Sequence, residues 1–480
     1  MIFSSVAQRI DGLQYLADKM ELSGSRVRRY LLQTPFTYRA ETLEKQFDDI
    51  EKAVRILDKH VHAPNVLKLS HLFSSIHDIK GTLDGLKTSR VLDEIELFEI
   101  KHFASLCRDI RIVCEALDFM ENAPACLQEV FDLLDPDETG TSGFYLYDSY
   151  SPALAKARKD ASLAKAEENT KLWQEATERV LTEELRVRET LSGTLSGMHN
   201  LLRNNFDRLA YLEIVFAKAA LAKQYGMVRP RVVPLKGAGG TDAALSVKDM
   251  VNPVLSDVLA TEDGAFQPVS ITLEKGPCLL TGANMSGKTV VLKTLALTQA
   301  LTQFAFFVPA REAVIPLVKD VFLVLGDKQD QNRGLSSFAA EMLELNEIMG
   351  VIKKGVPVLV LVDEPARTTN PAEGAAILCA TVAFMEEHAT RSLISTHYGD
   401  LDVQVRKLRV VGFEGEKATG VLDPSAINRY MNYSLIEDKG HAVPKEALQI
   451  ARLLGVDASF IALAQQFLKK DDDETIKTGT

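Results

Sequence analysis

The eight residues Gly282–Thr289 constrain the fold of this chain more than any other feature of its sequence. They read Gly-Ala-Asn-Met-Ser-Gly-Lys-Thr and fit the phosphate-loop (P-loop) pattern G-x-x-x-x-G-K-[ST]. An apolar strand candidate, Cys278–Thr281, precedes them, and a helical pattern over Val290–Leu301 follows. Glycines let backbone N–H groups surround phosphate oxygens, and the helix N-terminus adds its positive dipole. This order of strand, loop and helix predicts a nucleotide-binding site in an α/β domain.

The residue types in this loop predict separate roles. Gly282 and Gly287 are expected to let the backbone fold closely around the phosphates. Lys288 is expected to reach the β- and γ-phosphates of ATP, and Thr289 is expected to hold Mg²⁺. The alternative is a glycine turn with an incidental lysine, and two further motifs argue against it.

Two other strand candidates end in polar residues, as a P-loop sheet requires. Val358–Val362 is continuously apolar, typical of a buried parallel strand, and leads into Asp363-Glu364. Asp363 is predicted to bind Mg²⁺ through water, and Glu364 to polarise the attacking water. The third candidate, Ser392–His397, would place His397 near the γ-phosphate. The three motifs together favour an ATP-hydrolysing site.

The sequence pattern changes near residue 230. Before it, apolar residues recur at intervals of three and four, as in Val6–Met20, which is typical of helices with one buried face. Beyond it, short β-branched runs alternate with helical patterns, which is typical of a parallel α/β sheet. We predict a helical domain over residues 1–230, a linker over 231–242 and an α/β domain over 243–480.

A long helical hairpin is predicted near the end of the helical domain. Ala153–Ser192 contains neither glycine nor proline, and one continuous helix of that length would extend for about 60 Å. Ser192–Gly197 interrupts it, and a second helical pattern runs from about Met198 to Tyr225. A plain coiled-coil spacer is the alternative.

Composition is that of a folded protein. Hydrophobic residues make up 46% of the 480 residues and charged residues 25%, which excludes disordered and collagen-like chains. No apolar run approaches the ~20 residues that cross a bilayer, and Met1–Ile10 lacks the basic start of a secretory signal. The five cysteines form no C-x-x-C pair, which argues against a disulfide scaffold. We expect a cytoplasmic protein with no membrane partner.

Charge gives no support to DNA binding. The net charge is −11, and neither half of the chain is basic. A dedicated nucleic-acid binder usually carries a cationic surface. Basic clusters such as Arg26–Arg29 occur, but such runs are typical of solvated helix faces. A local patch on an acidic protein stays compatible with DNA binding.

The motifs resemble those of the MutS family of ATPases over nearly all of residues 240–480. Five segments carry this resemblance: Thr281–Thr289, Phe307–Ala310, Ser336–Met342, Asp363–Thr369 and Ser395–Tyr398. They are similar, in that order, to the family motifs T-G-P-N-M-G-G-K-S/T, F-V-P-A, S-T-F-x-x-E-M, D-E-x-G-R-G-T and A-T-H-Y. The Asn-Met pair inside the P-loop and the S-x-F-x-x-E-M segment are specific to this family among P-loop proteins. The resemblance implies a mixed fold, with an all-α core and lever region followed by an ABC-like α/β P-loop ATPase domain.

The resemblance also implies a dimer with ATP between two ATPase domains. Lys288, Thr289, Asp363 and Glu364 would act in one protomer. Asn284 would lie near the γ-phosphate, and His397 would sense that phosphate. The serines of the other protomer, Ser336 and Ser337, would complete the site. The partner is expected to be a second copy or a related chain.

The helical half resembles the family more loosely. Tyr150–Arg158 is similar to G-Y-x-x-E-L-D-x-L-R, which opens the family's lever helix, and Ala217–Ala222 resembles the end of the returning lever. Nothing in residues 1–40 resembles the Phe-x-Glu wedge of the mismatch readers, and only Ser192–Gly197 stands where those members insert a DNA-gripping clamp. Ala366 replaces a family glycine, which leaves communication between the two sites open.

These features predict an ATP-hydrolysing dimeric switch that moves helical levers on a macromolecular client. The missing wedge and clamp favour a protein client, as in the MutS-like ATPase subunit of a reactivase for cobalamin-dependent aminomutases. The alternative is a DNA-structure or mismatch-binding ATPase of the DNA repair type. A structural module with an inactive site is a third option, which the intact Lys288, Thr289, Asp363 and Glu364 oppose.

Overall fold

The chain folds into two compact units. The structure, a computed structural model, describes residues 1–236, 240–283, 286–326, 337–367, 369–398, 401–414, 429–438 and 447–467. One unit, called the ATPase unit below, contains Met1–Met20, Thr34–Asp48 and the described part of Leu221–Thr480. The other, called the helical unit, contains Glu21–Gln33 and Asp49–Ala220. No helix among the described residues is long and apolar enough to cross a membrane.

The helical unit is built from amphipathic helices, and its two boundary helices, α4 and α11, continue into the ATPase unit. Its helices are α3 (Ser25–Gln33), α4 (Ala40–Asp58), α5 (Ala63–Ser74), α6 (Lys80–Lys87), α7 (Glu94–Ala116), α8 (Gln128–Leu133), α9 (Pro152–Ala166), α10 (Thr170–Gly197) and α11 (His199–Gln224). Helix α7 has buried residues from Leu97 to Cys114. Asp93 and Glu96 form a capping box at its start, because each side chain accepts from the other residue's backbone N–H.

A helical hairpin forms, but between other segments than those predicted. Helix α9 packs against α10, and the turn between them lies at residues 167–169. Ala153–Ser192 is therefore divided between two helices and does not form one continuous helix. The Asn169 side chain accepts a hydrogen bond from Leu172 N at 3.1 Å, so it caps a new helix at the point where the continuous helix was expected.

The predicted interruption at Ser192–Gly197 is helical instead. These residues form the last turns of α10, and α11 follows directly after Met198, close to the predicted second helix. Tertiary hydrogen bonds explain why the glycines do not end α10. Leu92 N donates to Ser192 Oγ at 2.9 Å, and Ser196 Oγ donates to Leu86 O at 2.9 Å.

Two sheets form the centre of the ATPase unit. The six-stranded sheet has the order β10-β9-β4-β8-β7-β6, and it is parallel except for the antiparallel β10–β9 pair. Its strands are β4 (Pro277–Thr281), β6 (Asp320–Leu325), β7 (Val358–Asp363), β8 (Arg391–Thr396), β9 (Arg406–Phe413) and β10 (Met431–Glu437). The four-stranded sheet has the order β1-β5-β2-β3. Its strands are β1 (Arg231–Val233), β2 (Leu245–Met250), β3 (Val269–Leu273) and β5 (Glu312–Pro316).

Helices surround these sheets. They are α1 (Phe3–Ala7), α2 (Asp11–Lys19), α12 (Pro253–Ala260), α13 (Lys288–Gln303), α14 (Ser337–Lys353), α15 (Pro371–Glu387), α16 (Ala447–Leu453) and α17 (458–467). A helical region followed by mixed α/β sheets was predicted, and this coarse architecture is confirmed. The three predicted strands correspond to β4, β7 and β8.

The two units differ from the predicted division at residues 231–242. Arg231–Val233 is a strand paired with β5, and the start of the chain belongs to the ATPase unit. The Phe3 ring lies 4.9 Å from the ring of Phe304. Gln303 Nε2 donates to Thr37 O at 3.1 Å and to Val318 O at 2.7 Å. Buried aromatic contacts and a satisfied amide therefore hold the first residues of the chain on the ATPase unit.

Candidate functional site

The carboxyl ends of β4, β7 and β8 lie side by side in the six-stranded sheet. Thr281 is the register partner of Thr396, and Asp363 is the partner of Ser395. Parallel strands direct their carboxyl ends to the same edge, so the residues that follow them converge there. This alignment brings the P-loop, the acidic pair and His397 to one edge of the sheet.

Helix α13 begins at Lys288, immediately after the loop. The Lys288 side chain is 5% exposed, and Nζ donates to Gly282 O at 2.9 Å and to Ala283 O at 3.0 Å. Nζ also lies 3.2 Å from Glu364 Oε1. The ammonium group is thus held at the mouth of the loop by two carbonyls and one carboxylate.

Both predicted loop glycines are required by the backbone. Gly282 has φ +152°, and a Cβ there would lie 2.8 Å from Ser286 Oγ. Gly287 has φ +87°, and a Cβ there would lie 2.9 Å from Cδ1 of Tyr433. Residues that carry a side chain rarely adopt these φ values. Glycine therefore permits both the loop conformation and the approach of Tyr433.

Asp363 connects the P-loop helix to β8. Thr289 Oγ1 donates to Asp363 Oδ2 at 2.6 Å, and Ser395 Oγ donates to Asp363 Oδ1 at 2.5 Å. Mg²⁺ prefers hard oxygen ligands such as hydroxyls and carboxylates. The Thr289–Asp363 pair supplies both, so these residues fit the magnesium role predicted for them.

Glu364 occupies a strained position beside Lys288 and His397. Its φ is +46°, a conformation that non-glycine residues seldom adopt. The Glu364 N–H donates to Ser395 Oγ at 3.0 Å, and Oε2 lies 3.5 Å from His397 Nδ1. The carboxylate is only 13% exposed, whereas the His397 side chain is 38% exposed. Such strain is typical of functional sites.

A residue of α14 stabilises the turn after Glu364 by a hydrogen bond. Ala366 N donates to Glu341 Oε1 at 2.9 Å, and burial raises the pKa of Glu341. Ala366 has φ +59°, which a glycine would adopt without strain. This is the position at which the sequence departs from the family glycine, and the Glu341 hydrogen bond supports the less favourable residue.

Seven of the predicted site residues are brought together. They are Gly282, Gly287, Lys288, Thr289, Asp363, Glu364 and His397. Asn284 and Ser336 lie outside the described residues, as does the side chain of Ser337, the first residue of α14. Whether these three take part stays a prediction.

Sequence reasoning missed three contributors. Ser395 bonds Asp363, Glu341 supports the following turn, and the Tyr433 ring lies against the P-loop. A signal existed for Ser395, because it lies near the end of a strand candidate and stands where the similar motif A-T-H-Y has alanine. Tyr433 gave no local signal, since it comes from the distant strand β10. Burial raises the pKa of its phenol.

Comparison with known proteins identifies a relationship over the second half of the chain. Residues 278–471 match the family model of MutS domain V. The DNA mismatch repair protein Msh3 of Dictyostelium discoideum is 29% identical over 294 residues, which cover 58% of this chain and 20% of the relative. The endonuclease MutS2 of Lactobacillus helveticus is 27% identical over 289 residues, which cover 58% of this chain and 33% of the relative. The DNA mismatch repair protein MutS of Geobacillus kaustophilus is 28% identical over 261 residues, which cover 54% of this chain and 28% of the relative.

The chain thus spans between a fifth and a third of the length of these relatives. Two of them are named as DNA mismatch repair proteins and one as an endonuclease. The predicted preference for a protein client, an aminomutase-type enzyme, finds no support among them. They favour the DNA alternative.

Proposed function

We propose that this chain, whose residues 278–471 match the family model of MutS domain V, is a nucleotide-driven ATPase that hydrolyses ATP at the carboxyl-terminal edge of its six-stranded sheet. One observation carries the proposal. Lys288, Glu364 and His397 form one contact chain, and Thr289, Asp363 and Ser395 form a second beside it. Phosphoryl transfer depends on positioning and electrostatics, and these two chains supply both.

Lys288 and the loop backbone would bind the phosphates. The Lys288 ammonium is bonded to Gly282 O and Ala283 O at the mouth of the loop. It is therefore already positioned where the β- and γ-phosphates would enter. Thr289 and Asp363 would hold Mg²⁺, which supplies neutralising charge to the phosphates. Ser395 keeps the Asp363 carboxylate oriented by its hydrogen bond.

Glu364 would orient the attacking water and accept its proton. Its carboxylate is largely buried and contacts Lys288 on one side and His397 on the other. Phosphate binding would draw Lys288 away from Glu364, which frees Oε1 to accept a hydrogen bond from water. His397, more exposed than Glu364, would donate to the γ-phosphate.

We further propose that two ATPase units close around ATP. Asn284 would contact the γ-phosphate from within the loop, and Ser336 and Ser337 would complete the partner's site. The proposal rests on the family relationship, since MutS-family proteins act as dimers. Closure would move the helical unit through α4 and α11, because both helices begin in one unit and end in the other.

The client is proposed to be DNA, in a repair-related role. The names of the relatives support this choice over an aminomutase-type enzyme. The net charge of −11 implies that binding would be confined to a local basic surface and would weaken steeply with salt.

Replacing Lys288 with alanine tests the ATPase proposal. We expect turnover to fall by about 10²-fold or more, because the charge that balances the phosphates is lost. Lys293→Ala, in the same helix and five residues further on, is the matched control and should leave turnover unchanged. Steady-state phosphate release by both variants is the measurement. Near-wild-type turnover of the Lys288 variant would show that the hydrolytic site lies elsewhere.

Fluorescence anisotropy with matched, mismatched and branched duplexes tests the choice of client. We expect binding at low salt that differs between duplexes, together with a change in ATP turnover when DNA is added. Equal and weak binding of all duplexes, without any effect on turnover, would argue against DNA and favour a protein client.

A further inference from the structure

A small cavity lies at the amino-terminal edge of the six-stranded sheet. It has a volume of about 80 Å³ and is lined by residues that include Pro357 and Val358 at the start of β7 and Arg391 at the start of β8. Each strand spans six residues, or about 20 Å, so the cavity is separate from the candidate ATP site at the opposite edge. One buried water needs only about 10–15 Å³ of such space. The cavity therefore has room for a small ligand of several atoms.

The titratable side chains that line this cavity are of basic types. They are Lys275, His388 and Arg391, and no carboxylate is among its described lining residues. The nearest counter-ion is Asp242, which lies 3.0 Å from Lys275 Nζ but is 91% exposed. His388 Nδ1 forms a hydrogen bond with Phe384 O at 3.0 Å. The interior of the cavity thus carries positive charge without a buried negative partner.

Arg391 is the central group. The residue is 7% exposed, and its Nη2 donates to Ala243 O at 2.6 Å and more weakly to Thr241 O at 3.4 Å. Its Nε is fully buried and has no hydrogen-bond partner among the described residues. Burial lowers the pKa of Arg391, and the exposed Asp242 carboxylate only partly offsets this effect. A buried donor without an acceptor is costly, and an anion would satisfy both the donor and the charge.

We propose that this cavity binds a small tetrahedral oxyanion, such as phosphate or sulfate. Arg391 Nε would donate to one oxygen, and the Lys275 ammonium would supply the second positive charge. Neither residue takes part in the proposed ATP site, so the proposal stands apart from the proposed function. The bound anion would stabilise the start of β8, the strand whose other end carries Ser395.

Thermal unfolding of the full chain tests the proposal. The measurements use a Lys288→Ala background, because the P-loop itself binds phosphate. Phosphate, sulfate and acetate are titrated at low millimolar concentration against chloride of equal ionic strength. We expect phosphate and sulfate to raise the unfolding midpoint in a saturable way, unlike the gradual effect of an excluded salt.

Matched charge changes locate the site. Lys275→Gln should weaken the apparent phosphate affinity about tenfold, because a charge-assisted contact is lost. Lys354→Gln, an exposed lysine beside the cavity residue Gly355 that does not itself line the cavity, should leave the affinity unchanged. Arg391→Lys keeps the charge and removes Nε, so it should also weaken binding. If that variant does not fold, the difference in phosphate affinity between Lys275→Gln and Lys354→Gln still locates the site.

Three results would overturn the proposal. The first is no saturable effect of phosphate or sulfate, which would mean that water satisfies Arg391. The second is the same effect in the Lys275 and Lys354 variants, which would mean general salt action. The third is saturation by acetate alone, which would assign the cavity to carboxylates instead.

Discussion

Replacing Glu364 with glutamine removes a charge from the candidate site while keeping its shape. The amide can occupy the same space between Lys288 and His397, which lie 3.2 and 3.5 Å from the two carboxylate oxygens. It can neither accept the proton of an attacking water nor pair with the Lys288 ammonium. Hydrolysis and nucleotide binding are therefore expected to respond in opposite directions.

The loss of the proton acceptor sets the expected rate. General base catalysis contributes about 10²–10⁴-fold, or about 3–5 kcal/mol, so single-turnover hydrolysis should fall by that factor. Binding should not weaken. Lys288 keeps its two loop carbonyls but loses its carboxylate, so the phosphates of ATP become its main counter-charge. We expect ATP to bind the variant at least as tightly as the wild type. Without ATP, the variant should be less stable than the wild type because Lys288 has lost its ion pair, and bound ATP should restore that stability.

The assay separates these two effects. Single-turnover hydrolysis of labelled ATP measures the chemical step, and equilibrium titration with a fluorescent ATP analogue measures affinity. Sedimentation with and without Mg-ATP then asks whether stalled hydrolysis traps an associated state. Glu386→Gln, the same change at an exposed position of α15, is the matched control and should behave as wild type.

A rate above one tenth of wild type, with normal ATP binding, would refute the role assigned to the Glu364 carboxylate. Weaker ATP binding would contradict the argument about Lys288. Normal binding with no gain in association would mean that ATP does not bridge two copies of this chain, and would favour a related chain as the partner.

Two further changes test the structure. Gly287→Ala should destabilise the protein by about 1–3 kcal/mol and weaken ATP binding, because Gly287 has a φ of +87° and a Cβ there would contact Tyr433. The control is Gly81→Ala, at a helical position with open space around it, which should stabilise the protein slightly. Chemical denaturation measures both changes in stability. Lys101→Met should cost about 3 kcal/mol, since it leaves the Asp135 carboxylate buried without its ion pair at 2.9 Å. The pKa of Asp135 is lowered to about 2, despite burial, by hydrogen bonds from partners that include Lys101, so its contribution is complete above about pH 4 and lost as the pH falls through 2. Stability of the variant should therefore depend less on pH in that window, and an unchanged slope would contradict this account.

The parts of the site that follow directly from strand and loop patterns could be predicted from the sequence. The strand β7 is buried on both faces, so its apolar run identified it, and the acidic pair at its end followed. The P-loop glycines and Lys288 lie within eight consecutive residues, whose spacing alone predicts their proximity. His397 came from the same argument applied to β8.

The contacts that depend on register or on distant segments could not be predicted. Ser395 reaches Asp363 because β7 and β8 pair with a particular alignment, which no local pattern specifies. The tip of the helical hairpin moved to residues 167–169 because an asparagine cap and serine bonds outweighed weak glycine preferences. The contact of Phe3 with Phe304 joins two segments about 300 residues apart and has no local signature.

That contact between Phe3 and Phe304 has a consequence for how the protein is made. The two residues are about 300 positions apart, so at about 5–20 residues per second roughly 15–60 s pass on the ribosome before Phe304 is synthesised. During this interval the apolar side chains of α1, which include Phe3 and Val6, have no site to occupy. Most of the chain of the helical unit, Asp49–Ala220, emerges in the meantime and can complete its fold first. The segment that contains α1 therefore stays without this packing partner until Phe304 has been synthesised.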